Sequence, residues 1–553
     1  MPAEVDFQRL RFEYARSADQ DAPAPARHPV VVVGAGPVGL TLAIDLAQRQ
    51  VPVVLLDNDN TLSTGSRAIC FAKRTLEIFD RLGCGDAMVA KGVSWNVGRV
   101  FFRDAQLYSF DLLAESSHER PAFINLQQYY VEGYLAQRAA RLPLIDVRWN
   151  NKVVGVAQHT DHALLTVETP DGRYELVADH VVACDGSRSS VRELIGQKAK
   201  GRVFRDRFLI ADVKMTLDQP AERWFWFDPG FHPNQSVLLH MQPDGVWRID
   251  FQLGWEADPE VEKRPENIIP RVKALLANSA TMKDAAFELE WASVYTFACQ
   301  RMERFRHGRV LFAGDAAHGV SPFGARGANS GVQDSDNLGW KLALVLQRIA
   351  PDALLDSYAD EREYAADENI KHSTRATDFI TPKSEISRLF RDAVLDLARV
   401  YPFARTLVNS GRLSVPATLH DSTLSTPDSA EFDGPMRPGA AAADAPLTRA
   451  DGREGWLLRE LGDGFSALVF GSDASLHGAA PPGVPLKILH IGPCGDKPAP
   501  GQLIDHDGVI AERYDLLPGS VVLLRPDQHV CARWRQPSTE AVRHAMRRAL
   551  AMH

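Results

Sequence analysis

Residues 29–33, Pro-Val-Val-Val-Val, run straight into Gly34-x-Gly36-x-x-Gly39, and this junction constrains the fold more than any other part of the chain. An unbroken β-branched run is the pattern of a strand buried on both faces. Beyond the glycines, Leu40, Ala43, Ile44 and Ala47 recur at helical spacing, and residues 53–56 form a second buried strand ending at Asp57. Strand, glycine turn, helix and strand within roughly 30 residues make a βαβ unit. Parallel strands of this kind need helices on both faces, so the expected fold class is α/β. Gly34 permits the tight turn, Gly36 admits a pyrophosphate against the backbone, and Gly39 lets helix and strand pack closely. Asp57 stands where an acidic strand end accepts hydrogen bonds from ribose hydroxyls. A glycine turn without a ligand is the alternative reading, and the fingerprint alone does not separate FAD from NAD.

Two further segments make that distinction. Asp185-Gly186-x-x-Ser189-x-x-Arg192 follows apolar residues 181–183, and Gly314-Asp315-Ala316-Ala317-His318 follows apolar residues 310–313. Gly314 frees the backbone to approach a sugar-phosphate, and the Asp315 carboxylate can bind the ribityl chain of a flavin. Downstream, Pro322-Phe323-Gly324-Ala325-Arg326-Gly327-Ala328-Asn329 is a glycine-punctuated turn opening a helix. Its amides and helix dipole could face the pyrimidine edge of a flavin, where reduction places negative charge. An ordinary capped loop is the alternative. Three separated segments in this order describe one cofactor held at three points, and that cofactor is expected to be FAD.

Composition sets the remaining bounds. A chain of 553 residues exceeds one ordinary core, so two or three domains are expected. The net charge of −9, with no basic tract, argues against a nucleic-acid partner. Six scattered cysteines without a CxxC fit a reducing cytoplasm, and no metal site is expected. No stretch approaches the roughly 20 apolar residues of a membrane span. Residues 1–28 read as a polar surface arm, and 29–204 with 301–410 as a Rossmann-type cofactor-binding domain with a helical extension. Residues 205–300, aromatic and β-branched at period two, read as an inserted, mainly antiparallel substrate-binding sheet. A linker spans 411–446, and a small α/β domain spans 447–553, with a hairpin signal at Asp505-His506-Asp507-Gly508.

The three cofactor segments together resemble the class A flavoprotein aromatic hydroxylases, single-component FAD monooxygenases that include phenol hydroxylase and 3-(3-hydroxyphenyl)propionate hydroxylase. The resemblance runs from about His28 to Ser410. The C-terminal unit is similar to the thioredoxin-like domain of some members, without the CxxC that redox activity requires. The resemblance implies that NADH or NADPH visits transiently, which agrees with the absence of a second GxGxxG after a strand. It implies that reduced FAD binds oxygen at its C4a carbon and transfers one atom to a phenolic ring. Asp185 matches a residue near the pyrophosphate, and Arg67, in Ser66-Arg67-Ala68, an arginine contacting FAD near the substrate. Gln128, four residues before Glu132, matches a FAD-contacting glutamine, with a solvated helix residue as the alternative. Pro322 matches a proline whose carbonyl meets the substrate. Ile69 stands where phenol hydroxylase has a catalytic aspartate, so that base does not carry over.

A phenol becomes more nucleophilic as its proton leaves, so a basic or hydrogen-bonding group should stand near its oxygen. Asp250 and Arg248 share strand parity and could face one pocket, with His240 a strand earlier; a cross-strand ion pair on a solvated face is the alternative. Asp250 resembles in position a tyrosine of phenol hydroxylase that meets the substrate hydroxyl. The expected activity is hydroxylation of a small phenolic acid in catabolism, using O2 and NAD(P)H, by a protein that could dimerise. Alternatives are a hydroxylase of larger polyketide-type aromatics, a flavin dehydrogenase or reductase, and a non-catalytic flavin binder.

Overall fold

A computed structural model describes residues 6–63, 65, 67–204, 206–408, 413, 415–471, 476–496 and 499–552. Ser66, and positions 205 and 410–411 at which domain boundaries are expected, lie outside them. The strands among the described residues form one sheet of eight, two of seven and two of three.

The eight-stranded sheet carries the glycine motifs. Val310–Phe312, Gly172–Ala183, Ala26–Val33, Val53–Leu56 and Ile145–Arg148 lie side by side, each parallel to the next. Val30, Val31 and Val32 are fully buried, as an unbroken β-branched run between two helical layers requires. The helix Pro37–Gln48 begins where Gly36 caps it and Pro37 supplies a preset φ at its first position. The helix Gly327–Leu346 packs against it. Register is the consequential feature: Val33 pairs with both Ala183 and Leu56, and Ala183 pairs with Phe312. The strand ends are therefore level, and the segments at 34–36, 57, 184–186 and 313–315 leave the sheet along one edge. Ligands of open α/β sheets bind at that carboxyl edge.

One seven-stranded sheet runs in the order Phe287–Tyr295, Arg207–Met215, Val246–Leu253, Ser236–Met241, Arg223–Phe227, Val97–Phe102, Ala105–Asp111. Its last two strands come from a segment that the sequence assigns to the first region, and Arg223–Phe227 pairs with Val97–Phe102 in parallel. The sheet is thus built from two stretches of chain, because the apolar alternation at 97–102 needs a partner face that its own neighbourhood lacks. Period two sends Ala211, Val237, Trp247, Ile249 and Phe251 to one face, which buries them against Ile268, Val272 and Leu275 of the helix Pro265–Ala277. Each such side chain contributes roughly 1.5–3 kcal/mol of transfer free energy. Trp226 and Trp247 belong to this core.

Two expectations need correction, at the linker and at the hairpin signal. The N-terminal arm keeps to the surface among the described residues and is anchored by Phe7, buried edge-on against Tyr130 and Tyr134 in the space that Gly133 leaves open. The first strand accordingly begins at Ala26. Residues 415–446 pack as irregular chain, with Leu419 and Leu424 buried. Asp505–Gly508 is no hairpin, since the Asp505 carboxylate accepts the Ile510 and Ala511 amides at 2.8 Å and starts the helix Val509–Tyr514. Satisfying orphan helix donors outweighs the hairpin propensity of the Asp-Gly pair.

The other seven-stranded sheet spans Pro446–Thr448 to Val530–Trp534. The turn between Val521–Leu524 and Val530–Trp534 reaches into the first region. There the Arg525 guanidinium bonds Glu361 at 2.5 and 3.2 Å and Asp527 at 2.6 and 3.0 Å. Lys341 adds a bond to Glu361 at 2.7 Å, and Arg74 bonds the Asp527 carbonyl at 2.6 Å, all buried. Among the described residues no helix is long and apolar enough to cross a membrane.

Candidate active site

Four turns meet along the carboxyl edge of the parallel sheet, and their glycines test whether a nucleotide fits. Gly34 has φ +105°, and a Cβ there would stand 2.5 Å from the Cys184 carbonyl oxygen. At Gly39 a Cβ would stand 1.9 Å from the Gly34 carbonyl, so both glycines are imposed by the protein's own backbone. Gly36 differs: a Cβ would meet no protein atom within 4 Å. Open space lies over the helix N-terminus, where backbone N–H groups lack helical partners and attract anions. The Asp57 carboxylate accepts the Ala35 amide at 2.6 Å and the Asp59 amide at 2.8 Å, which fixes it beside that space. Burial holds its pKa above the ordinary carboxylate range.

The second and third turns are clamped together. Asp185 accepts the Val191 amide at 3.0 Å and the Ser190 hydroxyl at 3.2 Å through Oδ2, while its buried Oδ1 has no partner. Arg192 bonds the Ala316 carbonyl at 2.8 Å and the Ser187 carbonyl at 2.7 Å, tying the two turns to each other. Gly314 has φ +63°, and its amide donates to Asp334 at 2.9 Å. Asp334 also holds His318 at 2.6 Å and Arg362 at 2.7 Å, and these two partners keep its pKa low despite burial. Asp315 itself is open at the cleft surface, yet protein surrounds it closely enough that desolvation lifts its pKa, opposed by His318 and Arg67. An accessible carboxylate enclosed in this way suits a polar chain threaded through the cleft. The sequence gives no local signal for Asp334 or Arg362, which lie on helices and act through tertiary contact.

Arg67 is exposed on a loop pinned from both sides. Gln128 accepts the Ala68 amide at 3.2 Å and donates to Ser63 and Glu132 at 3.0 and 2.8 Å, so it supports the loop rather than facing solvent. The Arg67 carbonyl accepts from Arg248 at 3.3 Å. At the turn over residues 322–329, the Pro322 carbonyl accepts the Ala325 amide at 3.1 Å, Gly324 has φ +97° and Ala325 φ +52°. Arg326 hydrogen-bonds the Asn369 amide oxygen at 3.1 Å. The Asn329 side chain is spent on structure, bonding the Ala72 amide and the Cys70 and Ala325 carbonyls at 2.8, 2.9 and 2.5 Å. Only its backbone N–H, with those of Gly327 and Ala328, is left at the helix start.

The polar face of the mixed sheet meets the Arg67 loop at the Arg248–Arg67 contact. Arg223 pairs in register with His240, His240 with Arg248, and Arg248 with Asp212, giving one row across four strands. Arg248 does not pair with Asp250: its guanidinium grips Asp212 at 2.8 and 2.7 Å in a buried fork. Asp250 lies one step along the same face, buried, with no hydrogen-bond donor among the described residues. Burial, opposed by Arg248 and Arg223 and reinforced by Asp212, pushes its pKa up to about 6. Arg223 is also buried, with no hydrogen-bond partner among the described residues; desolvation, opposed by the Asp250 charge, holds its pKa below the usual arginine value. His240, desolvated and beside two arginines, is held well below its ordinary pKa, and its Nδ1 is unpaired. Tyr295, next to Asp250 in charge interaction, is held well above its usual range by burial. The sequence singles out Asp250, Arg248 and His240 and not Arg223 or Tyr295, which the structure brings beside them; period-two parity within each strand is legible, whereas the register joining them is not.

Cofactor cradle and polar sheet face together define a flavin-dependent enzyme acting on an organic substrate. Residues 27–373 match the FAD binding domain family, and the chain belongs to that family, among the FAD-dependent aromatic monooxygenases that use NAD(P)H. It is 32% identical to 6-methylpretetramide 4-monooxygenase of Streptomyces rimosus, over 92% of this chain and 91% of that one. It is 27% identical to the 3-(3-hydroxy-phenyl)propionate/3-hydroxycinnamic acid hydroxylase of Mycolicibacterium smegmatis, over 91% and 90%. Among solved structures, the flavin-dependent monooxygenase PieE with FAD and substrate superposes with a TM-score of 0.79 at 22% identity, covering 96% of this chain and all of that one. Aklavinone-11 hydroxylase with FAD and aklavinone gives 0.73 at 24% identity, with the same coverage.

Proposed function

We propose that this enzyme hydroxylates a phenolic compound bearing an acidic oxygen, with Arg223 as counter-ion and Asp250 as the proton acceptor. The observation that carries the reading is a pair of buried charges, Arg223 and Asp250, that lack hydrogen-bond partners among the described residues. A desolvated guanidinium without a partner costs free energy that an anionic ligand oxygen recovers. A carboxylate with pKa about 6 is ionised at neutral pH and basic enough to take a phenol proton. The Arg248–Asp212 fork keeps the wall rigid, and His240, neutral, offers a hydrogen bond without adding charge. The second lone pair of the Pro322 carbonyl is available to the ring hydroxyl. Bound FAD supplies the redox and oxygen chemistry. Gly34, Gly36, Gly39 and Asp57 would hold its adenosine and pyrophosphate, Asp185, Gly314 and Asp315 its middle. Arg67, Gln128, Gly327, Ala328 and Asn329 would form the walls around its ring.

Substrate size has two readings. The higher identity to the pretetramide enzyme favours a fused-ring, polyketide-type phenol. A single-ring acid, as for the phenylpropionate enzymes, is the second, and Arg223 would then meet its carboxylate. The unit spanning 447–553 is assigned a thioredoxin-like fold with a stabilising role. The test supplies 6-methylpretetramide, 3-(3-hydroxyphenyl)propionate and neutral 3-ethylphenol, and follows NAD(P)H oxidation, labelled-oxygen incorporation and peroxide. Arg223→Gln is expected to raise KM for the acidic substrate about ten- to a hundredfold, leaving 3-ethylphenol within about twofold. Stoichiometric peroxide without hydroxylated product from every compound would overturn the phenolic reading.

A further inference from the structure

Of the 14 large apolar side chains left exposed among the described residues, eight lie between 386 and 407. Seven sit on the helices Glu385–Val400 and Pro402–Val408, and Tyr401 lies between the two. Ile386, Leu389, Phe390, Leu397, Val400 and Phe403 leave between 43 and 81% of their surface open. The spacing 386, 389, 390, 397, 400 is one helical stripe, with exposed Ala393 bridging its gap. Leu395 and Ala398 fill the opposite stripe and join the cluster that holds Phe208 and Phe227, and Val394 beside them is buried. The helix therefore has two apolar faces, and the described residues cover only one. At on the order of 100 Å² per exposed side chain, the patch approaches the roughly 800 Å² that each partner gives a standard interface. It exceeds the roughly 300–600 Å² of the largest patch on a typical monomer.

We propose that this face is an interface with a second copy of the same chain, the two Glu385–Val400 helices lying antiparallel across a two-fold axis. Charge around the stripe identifies the partner. Glu385 and Arg399 stand at opposite ends of the helix, Asp396 lies between, and none has an ion-pair partner among the described residues. Antiparallel pairing centred on Asp392 sets Glu385 of each copy against Arg399 of the other. A self-complementary rim suits an isologous contact, whereas an anionic lipid surface would call for a uniformly basic rim.

The test is sedimentation of the flavin-loaded, full-length protein at micromolar concentration. The expected mass is twice 61.1 kDa, reduced to the single-chain value by Ile386→Asp with Phe390→Asp and unchanged by Leu517→Asp, an exposed apolar residue elsewhere. Glu385→Arg should weaken the dimer about two- to fivefold, and adding Arg399→Glu should restore it. A wild-type protein of single-chain mass, a dimer that survives the double aspartate change, or a charge swap that restores nothing would overturn the proposal. Flotation of the wild type with phosphatidylglycerol vesicles, lost in the double aspartate variant, would overturn it in favour of a lipid surface.

Discussion

Replacing Asp250 with asparagine should make the protein more stable and less active, with the two effects sharing one pH dependence. Burial lifts the Asp250 pKa from its ordinary 3.8 to about 6, even with Arg248 and Arg223 opposing it. Between those values the folded protein holds a proton that the unfolded chain releases. Stability is therefore lost as pH rises from about 4 through about 6, and the loss is complete above that. At 1.36 kcal/mol per unit, the ionised carboxylate costs about 3 kcal/mol in the folded state. Asparagine has nearly the same shape and no charge to desolvate. Asp250→Asn should thus gain up to about 3 kcal/mol at pH 8 and nothing at pH 4, read by denaturant unfolding at both values. Hydroxylation should fall about 10²- to 10⁴-fold, and the rise of wild-type kcat/KM through pH 6 should disappear. An equal stability change at both pH values would refute the reasoning, because the penalty would then not come from the charge.

The glycines offer a sharper contrast, since Gly34→Ala meets the Cys184 carbonyl and should fail to fold, whereas Gly36→Ala meets nothing and should fold normally. Gly36→Ala should nevertheless weaken FAD binding at least about tenfold, measured by flavin fluorescence on refilling the stripped protein. Asp334→Asn releases Gly314, His318 and Arg362 together, and should speed flavin dissociation at neutral pH. Because the Asp334 pKa is depressed, its contribution holds at neutral pH and is lost only as pH falls below the ordinary carboxylate range; the wild type should match the variant there. Arg525→Ala strands Glu361 and Asp527 in the interior, and unfolding should become easier by about 3–5 kcal/mol; a change within about 0.5 kcal/mol would mean that the network is solvated.

Local chemistry was legible in the sequence where neighbouring residues impose it. The buried run before Gly34, the acidic end at Asp57 and the glycine-punctuated turn at 322–329 all signal through short-range pattern. The alternation at 246–253 correctly set Arg248 and Asp250 on one face. What it could not convey was partnership: Arg248 belongs to Asp212, two strands distant in connection, and Asp250 is left with no donor. Likewise the strand at 97–102 reads as part of the first region until Arg223–Phe227 pairs with it. Asp505 misled for a related reason, because an Asp-Gly turn signal does not reveal whether a strand or a helix follows it. Nothing local in the sequence marks Arg525 and Glu361 as buried, and the inserted turn that joins them explains their burial.

The level strand ends have a consequence for how the enzyme is made. Val33, Ala183 and Phe312 finish in register, yet the last of them is synthesised nearly 280 residues after the first. At roughly 5–20 residues per second, a ribosome needs on the order of 15–60 s to cover that interval. Until the strand Val310–Phe312 and the helix behind it have emerged, the nascent chain has a glycine turn but no cleft. FAD can therefore stabilise only the nearly finished fold and cannot serve as an early template for it. Flavin shortage in a cell should appear as turnover of completed chains rather than as stalled or truncated ones.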